Sequence, residues 1–176
     1  DFDRALSYFE KVLVIAKKQY SIEKVVVLYY SYFQEIYEKK KDYNTSLKYA
    51  EIILNETEKL YGNKHVYIGD AYYMIAKLYY YMDNDELAIF YNKKALEIYK
   101  NELGENSLST ANCLNNLSLC YKSINDYVNS IDCILESLEI KKNLLGDNNY
   151  DISLAYYNFA SLLGYLDSQS AIYYFK

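Results

Sequence analysis

Proline and tryptophan are absent from this chain, which has one histidine, three cysteines and five glycines in 176 residues. Without proline no residue locks φ or withholds a backbone donor inside an element, so helices can run long between turns. Three cysteines with no CxxC pair fit neither a disulfide framework nor a zinc site. They point to a reducing compartment, and a cytoplasmic location is expected. No apolar run approaches the ~20 residues of a membrane span, so no membrane insertion is expected. No charged, apolar, small-residue leader is present, because the chain opens Asp1-Phe2-Asp3-Arg4 inside a helical pattern. It reads as a segment of a longer protein.

An excess of basic charge is also lacking. Net charge is −5, and no basic stripe appears, so no nucleic-acid partner is expected. The acidity is uneven: residues 1–100 carry 15 basic and 15 acidic side chains, whereas 101–176 carry 4 and 9. Glycine-rich phosphate loops and the GxSxG and HExxH patterns are missing, so no catalytic residue, metal or cofactor is expected and the chain is not read as an enzyme. Asp83 and Asp85 sit at a helix start, where capping and the helix dipole account for them. His65 stands at a link between helices, where a structural role is expected.

What is abundant is apolar and aromatic: hydrophobic residues make up 52% and tyrosines number 25, which excludes disorder. Most tyrosines are read as packing residues. Cys113 and Cys120, seven apart on one helical face, are read as buried thiols behaving as small hydrophobes.

The strongest signal is self-similarity at a fixed period. Gly62, Gly104 and Gly146 are spaced by 42, each closing an apolar helical run. Sixteen residues before each glycine stands a small residue, Ser46, Ala88 or Ser130. Thirteen before that is an apolar residue, Phe33, Ile75 or Leu117, followed four later by Tyr37, Tyr79 or Tyr121. The clearest unit spans Leu114 to Gly146. Apolar spacing of three to four predicts a helix over 1–19, read as the second helix of a half unit, and first helices over 22–40, 65–81, 107–123 and 151–165, each followed by a second helix of its pair. Val25-Val26-Val27 alone would suggest a strand, but the helical period and the register override it. Asp42 is expected to cap one second helix, Asp83 with Glu86 to form a capping box for the next, and Asn125 or Asp126 to cap the third. Gly62 and Gly146 are expected to end helices in the left-handed conformation.

Small residues at each helix crossing, Ala76, Ser118 and Ala160 on first helices and Ala5, Ser46, Ala88, Ser130 and Ala171 on second ones, resemble the tetratricopeptide repeat. A HEAT or armadillo array has a similar period but fits these crossings less well. The ordinary period is about 34 residues, so each helix here gains roughly one turn. That longer form is similar to kinesin light chain repeats, as are Leu114-Asn115-Asn116-Leu117, Ala95-Leu96-Glu97-Ile98 and Leu138-Glu139-Ile140. Val66, Leu108 and Tyr150 stand where that family usually has proline, and Gln34 where it has a small residue.

The resemblance implies an all-α fold, a right-handed superhelical α-solenoid of antiparallel helix pairs with about nine helices. Its expected units are a half unit at 1–21, full units at 22–62, 63–104 and 105–146, and a truncated one at 147–176. It also implies a concave groove, lined by first helices, that holds a peptide or a partner helix in an adaptor or scaffold role. Residues carried over to that groove are Tyr73, Lys77, Asn112, Asn115, Asn116, Lys122, Tyr157 and Asn158. Asn116 and Asn158 would clamp a peptide main chain, since an amide both donates and accepts; Lys77 and Lys122 would each pair with a carboxylate. Self-association through exposed terminal helices, or a peptide-sensing role within a larger protein, are the alternatives.

Overall fold

In the computed structural model the described residues are 22–146 and 149–164, with scattered positions between 4 and 15. Seven helices stand among them: α1 Ile22–Lys39, α2 Tyr43–Tyr61, α3 Val66–Tyr81, α4 Asp85–Leu103, α5 Leu108–Ser123, α6 Tyr127–Leu145 and α7 Tyr150–Leu163. The further helices expected at 1–19 and from 167 onward lie mostly or wholly outside the described residues. Each helix packs on its neighbours in the chain, and α3–α5 and α5–α7 also touch. Among the described residues no helix is long and apolar enough to cross a membrane.

The pairs form because small residues meet where the helices cross. Ala76 and Ala88 are fully buried. In the third pair Ser118 and Ser130 lie 3.0 Å apart, and Ser130 Oγ donates to the Ser118 carbonyl at 2.7 Å. The long Gln34 is accommodated in the first pair by polar bonding: its Nε2 donates to Ser46 Oγ at 3.0 Å, and Ser46 Oγ donates to the Gln34 carbonyl at 2.8 Å. The tyrosine markers stack on the partner helix, Tyr37 on Tyr49 and Tyr79 on Tyr91, with centroids 5.6 Å apart in both cases. In the third pair Cys133 holds the equivalent place, and the Lys93 ammonium lies over Tyr121 instead.

Two turn types alternate. After each first helix, Lys41, Asp83 and Asn125 adopt φ of 60, 56 and 61°. The next amide then donates back to Tyr37, Tyr79 or Tyr121 O at 2.9 Å, a Schellman closure. The side chain that follows caps the second helix: Asp42, Asn84 and Asp126 accept from Thr45, Leu87 and Asn129 amides at 3.1, 3.2 and 3.3 Å. The expected capping box at Asp83 is therefore displaced by one residue, because Asp83 occupies the left-handed turn and Asn84 does the capping.

After the second helices, Gly62, Gly104 and Gly146 have φ of 77, 87 and 72° with ψ of 177, 167 and 164°. That is the mirror-extended region open essentially to glycine alone, and it replaces the left-handed helical conformation expected there. His65, Ser107 and Asn149 then cap the following first helices. His65 Nδ1 accepts from the Tyr67 amide at 3.2 Å, and its ring stacks on Tyr61. Its role is structural.

Candidate functional site

The first helices α3, α5 and α7 present the carried-over residues, and with α1 they share a fixed register. Glu38, Tyr80 and Lys122 are one period apart, as are Tyr73, Asn115 and Tyr157, and as are Lys77, Leu119 and Ser161. Between successive first helices these registers meet. Lys77 Nζ lies 2.7 Å from Glu38 Oε1. Two units further the same registers meet again as Lys122 Nζ donating to Ser161 Oγ at 2.8 Å, with Tyr80 and Leu119 at these positions in between. A second set of contacts runs beside the first: Asn158 Nδ2 donates to Asn115 Oδ1 at 3.2 Å, and the Asn116 side chain stands beside the Tyr73 hydroxyl.

Six of the eight expected residues thus engage one another or neighbouring first helices across unit boundaries. Asn112 and Tyr157 stand outside these ties, and Tyr157 is 71% exposed. Lys77 already has an internal carboxylate, so the role foreseen for it toward a ligand carboxylate competes with Glu38. Burial pushes the Tyr73 phenol up to about 12, which keeps it protonated at neutral pH.

Between α3, α4 and α5 a cavity of about 130 Å³ is lined by Lys77, Tyr80, Tyr81, Asn92, Asn116, Leu119 and Cys120. A second of about 250 Å³ shares Tyr80 and Leu119 with it and continues past Lys122, Ser123, Asn125 and Tyr127. Asn92, in the first of these, is fully buried and is a residue that sequence reasoning missed. Its carbonyl accepts from Cys113 Sγ at 3.0 Å, and its Nδ2 reaches Cys120 Sγ only at 3.9 Å. Both thiols are buried as expected, and burial pushes Cys120 up to about 12 and Cys113 higher, so neither is a nucleophile at neutral pH. The signal for Asn92 was its register, since Ala50 and Ile134 are its apolar equivalents.

A further contact that the sequence did not foretell holds α3 to α4. Buried Tyr99 donates from its hydroxyl to Asp70 Oδ1 at 2.8 Å, and burial, reinforced by the Asp70 charge, raises its phenol far above the usual range. Among the described residues no group of His, Cys, Asp and Glu side chains is arranged to hold a metal.

Known proteins agree with this architecture. Tetratricopeptide repeat models match residues 35–101 and 110–151, between them more than half of the chain. Clustered mitochondria protein homologs of Aspergillus fumigatus and Aspergillus niger are each 27% identical over 113 residues, which is 64% of this chain and 9% of the relative. The chain therefore spans about a tenth of the length of these curated relatives. The crystal structure of BtubC (BKLC) from P. vanneervenii superposes with a TM-score of 0.83 at 21% identity, covering 93% of this chain and 66% of that one. A kinesin light chain-like protein of Podosopora anserina, built of nearly identical TPR-like repeats, gives 0.72 at 13%, covering 93% and 78%. With a 42-residue period, paired helices crossing at small residues and tetratricopeptide repeat models matching both 35–101 and 110–151, the chain belongs to the tetratricopeptide repeat family.

Proposed function

We propose that this array is a protein-interaction module that binds an extended peptide along its first-helix face, in an adaptor or scaffold role. The observation that carries the reading is the pair of adjoining cavities sharing Tyr80 and Leu119, with Lys77 and Asn116 in one and Lys122 in the other. Arrays of stacked helix pairs use such extended concave surfaces for partners. Apolar walls of tyrosine and leucine supply contact area, and the Asn116 amide supplies both a donor and an acceptor for a peptide main chain. The inter-unit ties hold the first helices in fixed relation, so little ordering is left for the binding step.

A displayed library of random peptides, panned against the chain, tests the reading. Captured peptides should be lost when Leu119→Glu puts a charge between the two cavities, and weakened roughly tenfold by Asn116→Ala, about the worth of one or two hydrogen bonds. Both variants should melt within a few degrees of the parent. Capture that is unaffected by Leu119→Glu, or a library that yields no binder, rejects the groove.

A further inference from the structure

Positions 57, 99 and 141 stand one period apart on the second helices, and all three are buried. In the second unit Tyr99 fills this joint, its ring lying against Gly69 and its hydroxyl on Asp70. In the third, Lys141 fills it and feels the Asp151 charge from α7. The first unit has Thr57, which is too short to do either. The joint between α1, α2 and α3 is accordingly a cavity of about 400 Å³, within the ~300–1,000 Å³ typical of small-ligand pockets. Its walls include Val27, Ile53, Leu60, Ala71 and Met74.

Thr57 lines this space with 1% exposure, and its Oγ1 has no hydrogen-bond partner among the described residues. An orphaned buried hydroxyl is costly, and such a group in a native cavity calls for a partner that the fold itself does not supply. The apolar walls disfavour a charged side chain, and Asp70 in the same lining repels an acidic one. An aromatic ring bearing one polar atom meets every condition, and that is what the chain itself places in the equivalent joint one unit later.

We propose that the first-unit joint is a socket for a tyrosine side chain of the bound peptide, its ring against Val27 and Met74 and its phenol hydrogen-bonded to Thr57 Oγ1. This rests on the peptide-groove reading, whose failure is separable. p-Cresol, the side chain without its backbone, is titrated into the whole chain and followed by amide NMR, with toluene in parallel. Saturable shifts confined to residues about the joint are expected, with p-cresol binding roughly fivefold tighter than toluene, about one hydrogen bond. Thr57→Val, which keeps the shape, should abolish that preference. Thr57→Tyr, which adds a ring to the joint although Val27 stands where Tyr99 meets Gly69, should abolish binding of both, with the smaller Thr57→Leu as the alternative plug if it misfolds.

Absent or scattered shifts, or equal affinity of the parent for p-cresol and toluene, overturn the socket. Peptides selected by panning should contain tyrosine and lose capture by Thr57→Tyr. Peptides captured equally by that variant overturn the socket while leaving the groove reading intact. Saturable p-cresol binding at the joint with no captured peptide sinks the groove reading and overturns the peptide-bound socket with it.

Discussion

Tyr99 shows how one side chain sets the tolerance of its neighbours. A Cβ added at Gly69 would lie 2.9 Å from Tyr99 Cε1, 3.1 Å from Cδ1 and 3.3 Å from Ile98 Cγ2. The ring has little room to withdraw, because it is buried and its hydroxyl is pinned to Asp70. Gly69→Ala gains up to about 1 kcal/mol of helix propensity but overpacks the joint, so a net loss of about 1–2 kcal/mol is expected by denaturant titration. Combining it with Tyr99→Leu should remove that loss and reveal the propensity gain. The phenols also set the alkaline limit. Tyr73 is raised to about 12 and Tyr99 further, so both folded values lie above the unfolded value of about 10. Their stabilising effect is intact below about pH 10 and is lost as pH rises, since the unfolded chain gives up protons that the folded chain keeps. Stability should fall between about pH 10 and 12, by up to about 1.4 kcal/mol per pH unit for each such tyrosine, and Tyr99→Phe should flatten the fall. Neither Thr57 nor Asn92 was legible as functional in the sequence. The repeat was read through positions that stay alike, Phe33, Ile75 and Leu117 for example, whereas these two matter because they differ from their equivalents.

At the scale of the element, the helices and their crossings were legible because the physics is local: apolar spacing, a small residue at each crossing, a glycine after each second helix. The turns were legible only in outline. Sequence marks Asp83 and Asn84 almost equally as caps, and what separates them is the Schellman closure, which needs the residue after the first helix at positive φ and leaves the next one to cap. Asn125 and Asp83 tolerate that conformation through short polar side chains, whereas Lys41 at φ 60° does not. Lys41→Gly should therefore stabilise the α1–α2 turn by about 1 kcal/mol, the steric relief exceeding the added chain entropy. The same change at Asn125 should give less. A rise in the midpoint of thermal unfolding measures the first, and equal gains at the two positions would argue against strain at Lys41.

At the scale of the molecule, the period was legible but the ties between successive first helices were not. The pairings of Glu38 with Lys77 and Asn115 with Asn158 depend on how successive pairs rotate about the stack, and no single helix encodes that. A stack of this kind draws stability from each unit and from nearest-neighbour interfaces, so damage in the middle is felt unevenly. Ala88 is the sharpest place to test this, since it is fully buried opposite Ala76, with α4 also packed on α5 and α3 also on α2. Leucine there would force the two backbones apart, costing about 3 kcal/mol or more. The cluster of Ile131, Ile134, Leu138, Ile152, Ala155 and Leu162 joins α6 to α7 without any residue of α3 or α4, so it should outlast the injury. Amide exchange in Ala88→Leu is therefore expected to accelerate through α3 and α4 and at their contacts with α2 and α5, while α6 and α7 keep most of their protection. Equal acceleration in all seven helices would mean that the array unfolds as one cooperative body and that its units hold no independent stability.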